Sequence, residues 1–136
     1  MKRSVCLLTA AIILSCCSKP AFSDWFIPSA EAVDNVYDFN FQMADSTGSY
    51  DFSFYTRVDG KWNSSIRLDV DWHSPDGNDY SETVYLLPES KGEGIQLYRK
   101  AVEPSVPGDW GLTVSVPDAP EGFLGLGLIC KENGTR

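Results

Sequence analysis

Asp69, Asp71 and His73 stand two residues apart in the run Ile66-Arg67-Leu68-Asp69-Val70-Asp71-Trp72-His73, so an extended chain puts all three on one side. Carboxylates and an imidazole at that spacing are the donors of a divalent-cation site or of acid–base chemistry. Arg67 shares that side, and the solvated face of an amphipathic strand accounts for the same pattern. Asp76, Asn78 and Asp79 add oxygens without the order of a calcium loop, in which glycine follows three alternating ligands. His73 is the single histidine. No serine lies in a Gly-x-Ser-x-Gly turn and no glycine-rich loop precedes a helix, so the reading is non-enzymatic, with no metal and no cofactor. The remaining chemistry is binding by exposed rings. Trp72 and Trp110 fall in step with aliphatic neighbours and belong to a core. Trp62 sits in a loop between Gly60-Lys61 and Asn63-Ser64-Ser65, Trp25 and Phe26 lie near the N-terminal tether, and Tyr80 opens a strand. Trp62 and Tyr80 are the candidate binding surface, with packing over a loop or sheet edge as the competing reading.

Cysteine supplies the other reactive group. Met1-Lys2-Arg3, an apolar stretch from Val5 to Leu14 and Ser15-Cys16-Cys17 form a secretory leader too short for an ordinary spanning helix. Ile13-Leu14-Ser15-Cys16 resembles the lipobox of bacterial lipoproteins, in which the thiol takes fatty acyl chains such as palmitate before cleavage. Cleavage after Ser15 then leaves Cys16 as the lipidated N-terminus, with Cys17 as the alternative. Two or three chains anchor firmly, because each buried methylene contributes about 0.8 kcal/mol. Cys6 leaves with the leader, and Cys130 stays as an apolar thiol or as a disulfide partner of Cys17; adjacent thiols plus one distant cysteine do not make a zinc site.

The 136 residues suffice for one domain, and 43% hydrophobic with 22% charged residues is ordinary globular chemistry. Eleven basic against 19 acidic residues give a net charge of −8, near −10 once Lys2 and Arg3 are removed. That sign argues against nucleic acid as a partner and against adhesion to anionic lipid. Eight prolines and eleven glycines weigh against a helical bundle.

Period two dominates from Val36 onward. Tyr37, Phe39, Phe41 and Met43 alternate with polar residues, as do Tyr50, Phe52, Phe54, Thr56 and Val58, and then Ile66, Leu68, Val70 and Trp72. Ser74-Pro75-Asp76-Gly77 predicts a hairpin into Tyr80–Leu87. Ile95–Val102, Trp110–Val116 and the glycine-bearing run Phe123–Cys130 complete seven strands, the last with close neighbours at Gly125 and Gly127. Helix is confined to the leader and a turn around Ser29 to Val33. The prediction is an all-β fold, a single antiparallel β-sandwich, with a signal peptide at 1–15, a lipid-anchored tether at 16–35 and the sandwich at 36–136.

Tyr50-Asp51-Phe52-Ser53-Phe54-Tyr55-Thr56-Arg57, the stretch Leu68 to Leu86 with its Ser74-Pro75-Asp76-Gly77 turn, Pro107-Gly108-Asp109-Trp110 and Gly125-Leu126-Gly127-Leu128 together resemble the gliding-motility-associated lipoprotein H family of Bacteroidetes. The likeness runs from about Val36 to Cys130. It implies a small envelope lipoprotein associated with the gliding apparatus in motile members, with no established enzymatic activity. Asp45-Ser46-Thr47 similarly resembles the short O-glycosylation motif of exported Bacteroidetes proteins, and is equally a hairpin turn. The expected location is the cell envelope, lipid-anchored at the periplasmic side of the outer membrane, with an envelope protein as partner; the alternative function is a lipid-anchored glycan-binding module.

Overall fold

Apolar residues at every second position bury one face of a strand, as in Val36–Met43, Ser49–Val58, Ile66–His73 and Gly108–Ser115, and the described residues form two antiparallel sheets of four strands each that close over each other. The computed structural model describes residues 22–43, 48–60, 62–88 and 94–133; Ser15, Cys16, Cys17 and Ser46 lie outside them. The strands are β1 (Phe22–Pro28), β2 (Val36–Met43), β3 (Ser49–Val58), β4 (Ile66–His73), β5 (Asp79–Leu86), β6 (Ile95–Val102), β7 (Gly108–Ser115) and β8 (Phe123–Asn133), with one 3₁₀ turn at Ser29–Glu31. The first sheet has the order β1-β8-β3-β6 and the second β2-β7-β4-β5. The all-β sandwich expected from the patterning is therefore the fold.

The inner faces are the predicted ones in β2, β3, β4 and β7. Tyr37, Phe39, Phe41, Met43, Phe52, Phe54, Leu68, Val70, Leu112 and Val114 are buried, and so are Trp72 and Trp110. Trp72 stands at the centre of an aromatic cluster, 5.2 Å from Phe52 and 6.1 Å from Trp110, both edge-to-face. Each such pair contributes about 0.5–1.5 kcal/mol beyond the burial itself. The hairpin between β4 and β5 also forms as read: Gly77 takes a φ of +91° and donates its N–H to the Ser74 carbonyl at 3.1 Å.

One element departs from the patterning. Phe22–Pro28, inside the stretch read as a tether, is a strand paired with β8 in the register Trp25↔Leu128, so the sandwich takes in this part of the tether and has eight strands among the described residues where the patterning marked seven. Trp25 turns inward, where it stacks on Phe41 at 5.8 Å. Its neighbour Phe26 turns outward, and an aromatic on each face erases the alternation that marks a half-buried strand. Proline is tolerated at the end of this strand because it lies on the sheet edge. The strand read at Ile95–Val102 forms with those bounds as β6; its Ile95 and Leu97 face outward and are exposed, whereas Tyr98 packs inward on Phe54 at 4.9 Å.

The edges of the two sheets meet along β5 and β6. Gln96 donates to the Tyr85 carbonyl at 2.9 Å and accepts from the Leu87 amide at 3.0 Å. Arg99 reaches Glu82 with Nη2 at 2.6 Å and Nε at 3.1 Å, and Tyr98 donates its hydroxyl to the same carboxylate while accepting from Trp72 Nε1 at 2.8 Å. Partial burial alone would raise the Glu82 carboxyl pKa, but the bonds from Arg99 and Tyr98 hold it below the usual range. Burial and the same carboxylate push the Tyr98 phenol up to about 12.

Candidate functional site

The sequence candidates Asp69, Asp71 and His73 do share one face, the outer side of the second sheet. Residues two apart on a strand are roughly 6.5–7 Å apart, and each of these turns sideways to a neighbouring strand. Asp69 accepts from Arg67 at 3.0 Å and from Thr83 at 3.2 Å, and Asp71 accepts from Ser81 at 2.5 Å. His73 contacts Asp79 through Nδ1 at 2.9 Å and Thr113 Oγ1 through Nε2 at 3.1 Å. Thr113 in turn donates to Asp38 at 2.8 Å. No group of three or more metal-ligating side chains converges among the described residues.

The order threonine–histidine–aspartate has the outline of a nucleophile with its base and orienting acid. The Thr113 hydroxyl has a single proton, however, and it goes to Asp38 rather than to Nε2. The chain Asp38–Thr113–His73–Asp79 is thus a polar tie across β2, β7, β4 and β5.

Cys130 is the other reactive group among the described residues. It is buried in β8 and forms no disulfide among the described residues. Burial first, then the nearby Glu132 and Asp51 carboxylates, push its thiol up to about 12, so it stays protonated and unreactive as a nucleophile.

Trp62 and Tyr80 are not brought together. Tyr80 lines a cleft of about 610 Å³ with Trp72, Tyr98, Trp110, Met43 and Lys100 where the two sheets open. Trp62 borders a different concavity of about 590 Å³ on the outer face of the first sheet, beside Asp24, Tyr55, Arg57, Ile95 and Ile129. Its Nε1 donates to the Ser64 carbonyl at 2.5 Å, which fixes the indole in its loop.

The construction of that second concavity starts with glycine. Tyr55 and Gly127 are direct cross-strand partners on β3 and β8, and Phe26 of β1 pairs with Gly127 from the other side. A Cβ on Gly127 would fall 2.2 Å from Cε1 and Cζ of Tyr55, so the tyrosine ring occupies the space of the missing side chain. A Cβ on Gly125 would similarly fall 2.5 Å from Cζ of Phe26. The two rings stack at 5.8 Å with 21° between their planes, and the Arg57 guanidinium lies 4.7 Å above Phe26. Tyr55 spans β8 and donates to Asp24 Oδ1 at 2.6 Å. Partial burial, then this bond and the charge of Asp24, push the phenol up to about 12 against the opposing charge of Arg57.

Tyr55, Asp24 and Arg57 are site residues that the patterning does not single out. The one signal is the pair of glycines in β8, which foretells a close neighbour without saying which ring fills the gap. Comparison with family models finds none that matches the chain, and comparison with curated proteins finds no match.

Proposed function

We propose that this chain is a non-enzymatic, lipid-anchored protein of the bacterial cell envelope, held through Cys16 and acting as an accessory by protein contact at its β5–β6 edge. The observation that carries the contact is the placement of apolar surface. Of the seven large hydrophobic side chains exposed among the described residues, five lie here: Tyr80, Tyr85, Leu87, Ile95 and Leu97. Gln96 ties the β5 end to β6, so Tyr85, Leu87, Ile95 and Leu97 border one edge. Clustered apolar exposure on a sheet edge marks an interaction surface, whereas scattered exposure needs no explanation. The leader, the lipobox and the resemblance to the gliding-motility-associated lipoprotein H family support the envelope address and the accessory role.

The test uses the full-length protein in its native membrane. Fractionation and intact mass are expected to show acylation lost with Cys16→Ser and kept with Cys17→Ser. A defined protein complex isolated after gentle solubilisation is expected to disappear in Leu87→Asp/Leu97→Asp, while the melting curve stays within a few degrees of wild type. An unacylated wild type refutes the anchor, and a complex unchanged by the double substitution refutes the contact.

A further inference from the structure

The groove above Tyr55 has a chemistry that the apolar edge lacks. Its floor is a flat ring laid on the sheet where β8 has no side chain, with the outer ring face toward solvent. Beside it stands Asp24, a carboxylate that can only accept; its Oδ1 is taken by Tyr55, and Oδ2 has no partner among the described residues. Arg57 also lines the groove; its guanidinium, laid over Phe26, can only donate and forms no ion pair among the described residues. Trp62, Ile95 and Ile129 line the groove as well. The volume, about 590 Å³, lies in the range of small-ligand sites.

From this combination we infer that the outer face of the first sheet binds a glycan of gluco-configured pyranose units, stacked on Tyr55 beside Asp24 and Arg57. A pyranose with equatorial hydroxyls presents C–H bonds on its faces and hydroxyls around its rim. The C–H groups carry slight positive charge and meet the negative face of an aromatic ring. The rim hydroxyls both donate and accept, matching a carboxylate and a guanidinium that line the same groove. A lipid tail would find charged walls, and a nucleic acid would meet the Asp24 carboxylate within an acidic protein. The site keeps Trp62 from the sequence reading of a glycan surface and replaces Tyr80 with Tyr55. It shares only Ile95 with the edge proposed for protein contact, so either can fail without the other.

The experiment is a calorimetric titration of the full-length protein, in a detergent without sugar headgroups, with chitotetraose and with cellotetraose. Glucitol, which has the hydroxyls but no ring face, is the control. Saturable binding of at least one tetramer and none of glucitol is expected. Tyr55→Ser is expected to weaken it by about tenfold or more, the scale of a lost stacking contact, whereas Tyr55→Phe keeps the ring and Tyr80→Ser leaves affinity unchanged. If Tyr55→Ser does not fold, Arg57→Gln and Trp62→Leu supply the same reading, each with weaker binding. No saturable binding of either tetramer, equal binding of glucitol, or affinity indifferent to Tyr55, Arg57 and Trp62 overturns the site. Loss of the envelope complex in these variants without any sugar binding would assign the groove to the protein contact instead.

Discussion

The outer faces of the two sheets are built on opposite plans. On the second sheet, Asp38, Asp69, Asp71 and Asp79 each find a hydroxyl, an imidazole or a guanidinium on the same face, so the surface satisfies itself. On the first, Tyr55 and Phe26 lie over glycine, and Asp24 and Arg57 line a groove. The richer set of chemical side chains is therefore on the face with the least left to offer a ligand. What separates a ligand surface from a polar strand face is whether neighbouring strands have already used its donors and acceptors.

The sharpest way to break this contrast is the same kind of substitution at the glycine of each central strand. Gly127→Ala must displace the Tyr55 ring and with it the bond to Asp24, and is expected to cost about 1–3 kcal/mol. Gly111→Ala on β7 meets Asn40 and His73 only at ordinary contact distances of 3.4 and 3.6 Å, and is expected to stay within about 0.5 kcal/mol of wild type. Thermal unfolding of the two variants side by side reads the difference. Next in size is Tyr98→Phe. It removes the acceptor of Trp72 Nε1 and one donor to Glu82 where the sheets meet, and an expected loss of about 1–2 kcal/mol is measurable by denaturant titration.

Alkaline pH tests the phenols of Tyr55 and Tyr98, both raised from 10.0 to about 12 in the folded protein. A proton held more tightly when folded stabilises fully below the unfolded value and loses its contribution as pH rises through the folded one. Stability is therefore expected to fall between pH 10 and 12, with a shallower slope in Tyr55→Phe; a slope unchanged by that substitution would count against a Tyr55 phenol raised by burial and by Asp24. The smallest effects are expected on the second sheet. Asp71→Asn changes one exposed cross-strand bond and is expected to move stability by less than about 1 kcal/mol. Added calcium is expected to leave the melting temperature in place, since a cation bound only by the folded state must raise it.

Much of the fold was legible because β2, β3, β4 and β7 each bury one face, and alternation reports that directly. It failed at β1, where Trp25 packs inward and Phe26 outward, and at β6 it located the strand without its phase, since Ile95 and Leu97 are exposed and Gln96 and Tyr98 half-buried. The candidate site was less legible for a topological reason. Asp24, Tyr55 and Gly127 lie on β1, β3 and β8, neighbours in the sheet but far apart along the chain, and strand order is not written in any local pattern. Conversely Asp69, Asp71 and His73 are conspicuous because they share one strand, while the partners that satisfy them, Ser81, Thr83, Asp79 and Thr113, come from two others.

The most direct test of the division of labour between the faces is photo-crosslinking in intact envelopes, with a benzophenone side chain in place of Leu97 on the first sheet or of Asp71 on the second. If the first sheet and its edge are the working surface, position 97 forms one discrete protein adduct and position 71 forms none. An adduct from position 71 with none from position 97 would contradict it.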